Sequence, residues 1–252
     1  MRRAAFLPLL AAVVGLMDAA TAADVASSNK TASTVELALH YDFLPNIVSR
    51  VRDYSGKDHD GTLRDGEIVA GRQKQAVKFS GLGAISMDGV PDTLNPQARS
   101  LTVGAFCQPS SPEGVLVSMG DHTNGFSLYL HGGVPHFAVR ADGKLFTAAA
   151  VDPVVMDQWV HLAGAIDGQG RIWVVVNGWF GANVQGKVIP RKPAESFCVG
   201  ADPGSPVGQY PSTLPWHGLV QDVRLYWGFM DRNENRDQWG DWANLPGCGC
   251  RK

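Results

Sequence analysis

A chain of 252 residues, 44% hydrophobic and 18% charged, has the apolar content to build a core, which excludes a wholly disordered polymer. Its formal net charge of −2 excludes a broad basic surface for nucleic acid or anionic lipid. The 29 Gly and 15 Pro suit many turns between short strands, and roughly 200–250 residues is ordinary for one all-β sandwich.

The first 22 residues read as a secretory signal peptide. Arg2 and Arg3 start it, residues 4–17 are nearly all apolar, and Ala20-Thr21-Ala22 offers a small-x-small cleavage site. The apolar run is too short for a membrane span of about 20 residues, so no membrane insertion is expected. Cleavage after Ala22 removes Arg2, Arg3 and Asp18 and takes the charge from −2 to −3. The mature chain is then expected outside the cytoplasm, periplasmic or extracellular. Residues 23–36 are small and polar and form a flexible lead-in, with a glycosylation sequon at Asn29 that matters only in a eukaryote.

Strand patterns follow in order. Leu39, Tyr41 and Phe43 alternate on one face, and residues 53–63 (DYSGKDHDGTL) form a polar loop leading into the next strand. Further alternating segments are 75–79, 84–88, 100–107, 115–119, 125–131, 134–140 and 144–150, separated by turns containing Gly or Asp. In 159–178 (WVHLAGAIDGQGRIWVVVNG), Trp159, His161, Ala163 and Ala165 point one way, and Val160, Leu162 and Ile166 the other. Asp167 to Gly170 makes the turn, and Ile172, Val174 and Val176 line one side of the partner strand. Asn177-Gly178 is a type I′ hairpin signal, because both central residues need positive φ. A strand at 197–199 precedes the proline-rich loop 201–216, long enough to be functional or mobile. Residues 217–227 form the closing strand, with Leu219, Val223 and Leu225 on one face. A polar, helix-compatible segment at 229–242 should pack its aromatics on the sandwich.

The W-x-H strand, the N-G turn, the D-x-S-G loop at 53–56 and the 75–88 strand pair (QAVKF, then AISMD) together resemble the concanavalin A-like jelly rolls of laminin G and pentraxin type. The resemblance covers 37–230 and implies one antiparallel β-sandwich there, with 231–252 as a C-terminal extension. The pentraxin disulfide falls on Gly104 and Ala163 here, so plain laminin G-like membership fits better. The resemblance also implies a binding module for a glycan. A protein-binding adhesion or assembly module is the alternative, and a polysaccharide hydrolase or lyase of the same fold is the third reading. The E-x-D-x-x-E pattern of glycosidases on this fold is missing, as are a G-x-S-x-G elbow and an H-E-x-x-H helix, so no catalytic residue is expected.

Pentraxins gather calcium from the two loops that here carry Asp121, Asn124 and Asp202. Calcium takes six to eight oxygens, so these three would need carbonyls and water; equally, they serve as turn residues. Trp179, Tyr210 and Trp216 have the apolar faces that stack on sugars, or that cover a sheet edge. His161 is expected as a hydrogen-bonded core residue, Trp159 as core between the sheets, and Asp222 with Arg224 as a structural pair. Cys107, Cys198, Cys248 and Cys250 allow three connectivities, and structural disulfides with no free thiol suit an exported chain.

Overall fold

The computed structural model describes residues 35–45 and 49–240. The signal peptide, nearly all of the lead-in and the tail pair Cys248 and Cys250 lie outside them. In chain order the strands are β1 (Glu36–Tyr41), β2 (Arg50–Val51), β3 (Gly61–Ala70), β4 (Gln75–Ser86), β5 (Leu101–Pro109), β6 (Gly114–Gly120), β7 (Gly125–His131) and β8 (Val134–Ala141). Then come β9 (Lys144–Ala149), β10 (Val160–Ile166), β11 (Arg171–Val176), β12 (Trp179–Phe180), β13 (Val184–Gln185), β14 (Phe197–Val199) and β15 (His217–Trp227). Among the described residues one α-helix follows, α1 (Arg232–Trp239).

All pairings are antiparallel, in the order β12-β11-β10-β5-β15-β4-β14-β6-β7-β8-β9, with β1 added to β15. The path curls back on itself through β4. Its first half pairs with β15, Val77 opposite Val220, while its end pairs with β14, Ser86 opposite Cys198. Between them Gly81 takes a φ of +89°, open to glycine at little cost, and a Cβ there would strike the His217 ring at 2.3 Å. β10 and β11 therefore face β8 and β9 across one core, which makes the curled sheet a jelly-roll β-sandwich.

The inner face is aliphatic. Val103, Ala105 and Cys107 of β5 and Val160, Leu162 and Ile166 of β10 meet Phe126, Leu128, Phe137 and Val139 of the opposite layer. The layers approach closely enough at one point to require glycine: a Cβ on Gly164 would lie 2.0 Å from the Phe137 ring. Each layer also has a covered outer face. Phe106, Tyr226, Met230 and Trp239 cluster on one, under α1, and Val115, Tyr129, Ala138 and Tyr210 on the other, under the 201–216 loop.

The polar loop at 53–61 is held by Asp53, whose carboxylate accepts from the backbone N–H of His40, Ser55 and His59 and from the Ser55 hydroxyl. The D-x-S-G sequence is thus a backbone clamp. Asp222 and Arg224 do pair, through two hydrogen bonds of 2.6 and 2.8 Å. Asp222 stands at a bulge where β15 shifts register, with a φ of 56°.

Three expectations are corrected. Trp159 is half-buried on the outer face and packs against the Phe106 cluster, because Val160 and Leu162 hold the space between the layers. His161 is buried, but among the described residues neither ring nitrogen has a partner, and the ring lies between Phe106 and Trp239. Cys107 and Cys198 are free, buried thiols. They sit on separate strands, flanked by their ladder neighbours, and burial pushes the Cys198 thiol up to about 12. In a chain with Cys248 and Cys250 changed to Ser, a thiol reagent should find no reactive group in the native state and both on unfolding. A fast native reaction would contradict the burial.

Candidate functional site

The Asn177-Gly178 turn builds the most exposed aromatic position of the sandwich. Both residues take positive φ, 48° and 74°, as a type I′ turn demands. Asn177 Oδ1 accepts from the His161 N–H at 2.9 Å, and the Asn177 N–H donates to His161 O at 2.8 Å, so the turn is tied to β10. The returning strand β12 sets Trp179 opposite Val176, and the indole remains 46% exposed.

Opposite it runs the segment 150–158, pinned by Ala150 N–H to Pro135 O at 2.9 Å, Val154 N–H to Gly133 O at 2.9 Å and Asp157 N–H to Pro109 O at 2.7 Å. Its exposed side carries Val151 and Val155. Between segment and turn lies a cleft of about 370 Å³ at the edge where the two layers meet, walled by Val151, Gln158, Trp159, Asn177, Trp179 and Phe180. Trp179 also borders a second hollow of about 360 Å³, with Trp173, Phe180, Phe229 and Arg232. The Arg232 guanidinium stacks 3.6 Å from the centre of the Trp179 ring. Asp152 supplies the one charged side chain on the cleft wall; the other polar groups are the carboxamides of Gln158 and Asn177. Apolar walls with a few convergent carboxamides suit a neutral, polyhydroxylated ligand.

The other two predicted aromatics do not join Trp179. Tyr210 is 9% exposed, its hydroxyl 2.6 Å from both Ser127 Oγ and Asp202 Oδ2, and Trp216 is 1% exposed in the core. The 201–216 loop doubles back over β7 and β8, with Thr213 N–H bonded to Asp202 O and Trp216 N–H to Gly200 O, so its rings point inward. Rings without a free face cannot stack on a sugar, and the reading is corrected for both.

The two loops carrying Asp121, Asn124 and Asp202 do lie side by side. His122 Nδ1 is 2.9 Å from Ser205 Oγ, and Gly120 N–H donates to Glu195 O. Their oxygens are largely committed. Asp121 Oδ1 accepts from Thr123 N–H, Thr123 Oγ1 and Asn124 N–H; Asn124 Oδ1 accepts from Asp142 N–H; Asp202 Oδ2 accepts from Val207 N–H and Tyr210. Burial would raise the Asp121 carboxyl, but these donors outweigh it and hold it below the ordinary value. At Asp202 burial wins, and the carboxyl stands above its ordinary value despite the Tyr210 and Val207 donors. Among the described residues no group of three or more His, Cys, Asp or Glu side chains can hold a metal. Asp202 Oδ1 is buried with no partner among the described residues, and since calcium takes six to eight oxygens, a cation here would need further carbonyls and water.

Phe229, Arg232 and Trp173 were not expected in the site. They are far from Trp179 in sequence or on a strand read only as core, and the register of β5 between β10 and β15 brings them together.

Comparison with known proteins agrees with this architecture. No curated protein sequence matches the chain. Among solved structures, it is similar to domain 4 of AbnA, an extracellular GH43 arabinanase from Geobacillus stearothermophilus, in complex with arabinotriose, with a TM-score of 0.63 and 20% identity over 81% of this chain and 98% of that one. It is also similar to the binding domain of Paraclostridial Mosquitocidal Protein 1, with a TM-score of 0.65 and 12% identity over 83% of this chain. The receptor-binding domain of a botulinum neurotoxin C/D mosaic serotype gives a TM-score of 0.61 and 10% identity over 81%. The match spans 53% and 51% of those two toxin chains. At such identities the likeness is one of fold. The sequence itself carries the assignment, since residues 84–234 match the family profile: the chain belongs to the concanavalin A-like lectin/glucanases superfamily.

Proposed function

We propose that this protein is an exported, non-enzymatic binding module that takes a neutral glycan in the cleft between Trp179 and the 150–158 segment. The observation that carries this reading is Trp179 itself, an exposed indole at the wall of an apolar cleft lined by Gln158 and Asn177. The arabinanase domain of the same fold, solved with arabinotriose, supports it by likeness. Export rests on the predicted signal peptide. Arabinotriose and a panel of neutral plant and microbial oligosaccharides are the ligands to titrate, with calcium and with a chelator. The ring contacts need no metal, so both arms should give the same affinity. Trp179→Ala should weaken binding about tenfold or more, equivalent to about 1.4 kcal/mol. Its melting temperature should hardly change, because the side chain is half exposed. An unchanged affinity in Trp179→Ala would overturn the cleft as the site.

Exposed Val151 and Val155 beside the indole favour a second reading, an extracellular protein docked on the same edge. A pull-down that retains a protein through Trp179, with a blank glycan panel, would select it.

A further inference from the structure

Helix α1 rests on an unusual seat. Its sequence, RNENRDQW, has no aliphatic residue, and the side chains it buries are Asn235 and Trp239. Asn235 is fully buried with neither amide atom hydrogen-bonded among the described residues, and Trp239 Nε1 has no partner there either. Beneath them the fully buried His161 ring stands 4.7 Å from Trp239 and 5.1 Å from Phe106, again with both nitrogens unpaired. Each unpaired polar group favours a lifted helix, in which water satisfies it. Against this, Arg224 and the Tyr226 hydroxyl hold the last turn from β15 through Gln238, and the first turn is secured by a capping box between Asp231 and Glu234. That turn carries Arg232, which stacks on Trp179.

From these contacts we propose that Arg232 is a positioning residue for the glycan cleft: it holds the Trp179 ring as the cleft wall, and lifting α1 from its unsatisfied seat releases the ring and the ligand together. The ligand half of this proposal rests on the cleft reading above; the coupling of α1 to the Trp179 turn does not.

Acid should promote the lifting. Burial holds the His161 imidazole down to about 3, with Asp222 opposing and Arg224 reinforcing that depression. Asp222 and Arg224 face it from β15, paired with each other and with His40 of β1. Arg72 lies over the Phe106 ring of β5, the ring that α1 sets against the imidazole is the neutral Trp239, and Tyr226 of β15 packs on the other side of that indole's cluster. Once the helix lifts, the imidazole returns toward its ordinary value of 6.5. The lifted form thus binds the proton first, and its population should grow about tenfold for each pH unit below 6.5, until about pH 3.

Hydrogen exchange on the full chain at pH 7 and pH 5, corrected for intrinsic rates, tests the coupling without a ligand. Segments 177–181 and 232–239 should open together, about 25-fold more often at pH 5. Asn235→Leu, which replaces the unpaired amide by an apolar group of similar shape, should slow both segments and carry arabinotriose binding to lower pH. Arg232→Ala should free 177–181 while leaving 232–239 protected, and should weaken arabinotriose about fivefold or more without moving the melting temperature. Independent opening of the two segments, or an Arg232→Ala chain with 177–181 exchange unchanged, would overturn the proposal. If arabinotriose and the panel fail to bind, or Trp179→Ala binds as wild type, the cleft reading falls and the exchange results alone decide the coupling.

Discussion

Trp216→Ala should lower the free energy of unfolding by about 3–5 kcal/mol, the range for large aromatic truncations in a core. The indole is fully buried, and its ring lies against Gly114, where a Cβ would come within 3.1 Å of it. Its backbone N–H closes the 201–216 loop on Gly200 O at 2.8 Å. The variant should therefore lose the loop's protection together with global stability, as read by urea titration and by exchange at residues 201–216. Where the variant is still folded, affinity at the Trp179 cleft should be retained. A loss under about 1 kcal/mol would return Trp216 to the ligand-binding role its sequence context suggested.

Asp222→Ala is expected to cost a similar amount, about 3–5 kcal/mol, because it strips the partner from a mostly buried guanidinium. Arg224 gives two hydrogen bonds to this carboxylate, and His40 Nε2 lies 2.9 Å away on the neighbouring strand. Asp222→Asn keeps a residue that tolerates the bulge's positive φ and removes the charge, which separates backbone from electrostatic contributions. Burial works to raise the Asp222 carboxyl, but hydrogen bonds and charge from His40 and Arg224 outweigh it and hold it below 3.8. A depressed carboxylate stabilises above its unfolded value and loses that contribution as pH falls through the folded one. The difference between wild type and Asp222→Asn should accordingly shrink below about pH 4. His161 acts in a higher window. Its folded value is depressed although it is a base, so its cost begins as pH drops below 6.5 and is complete near 3. Denaturant titrations from pH 7 to pH 3 should show both slopes, and a flat profile between 6.5 and 4.5 would contradict a buried neutral His161.

Period-two alternation made the strands legible, and the N-G turn at 177–178 located Trp179 and its hairpin. What alternation could not decide was which face was the inner one. In β10 both faces are buried, one against the opposite layer and one under α1, so Trp159 and His161 carried the same signal as a core pair. The 201–216 loop was legible as irregular but not as folded inward. That depended on the Tyr210 hydroxyl meeting Asp202 within the loop and Ser127 of β7, the latter 83 residues away in sequence. Exposure of Trp179 against burial of Tyr210 and Trp216 is likewise a tertiary outcome, since all three rings sit beside turn residues. The loops carrying Asp121, Asn124 and Asp202 are neighbours, as the resemblance implied, but which of their oxygens accept from backbone donors is set only by the folded loops. The thiols differ again: Cys107 and Cys198 behave as small apolar residues inside strands, where spacing in the sequence says nothing of a partner.

The placement of β15 sets the order of events when the chain is made. It lies between β5 and β4 and also receives β1, yet it is the last strand among the described residues. Until residues 217–227 have emerged, the first layer has edges where its middle should be, and β1 and β5 have no common neighbour. Such long-separation pairing places this sandwich among the slower-closing topologies. A nascent chain therefore cannot complete this sandwich until residues 217–227 have been made.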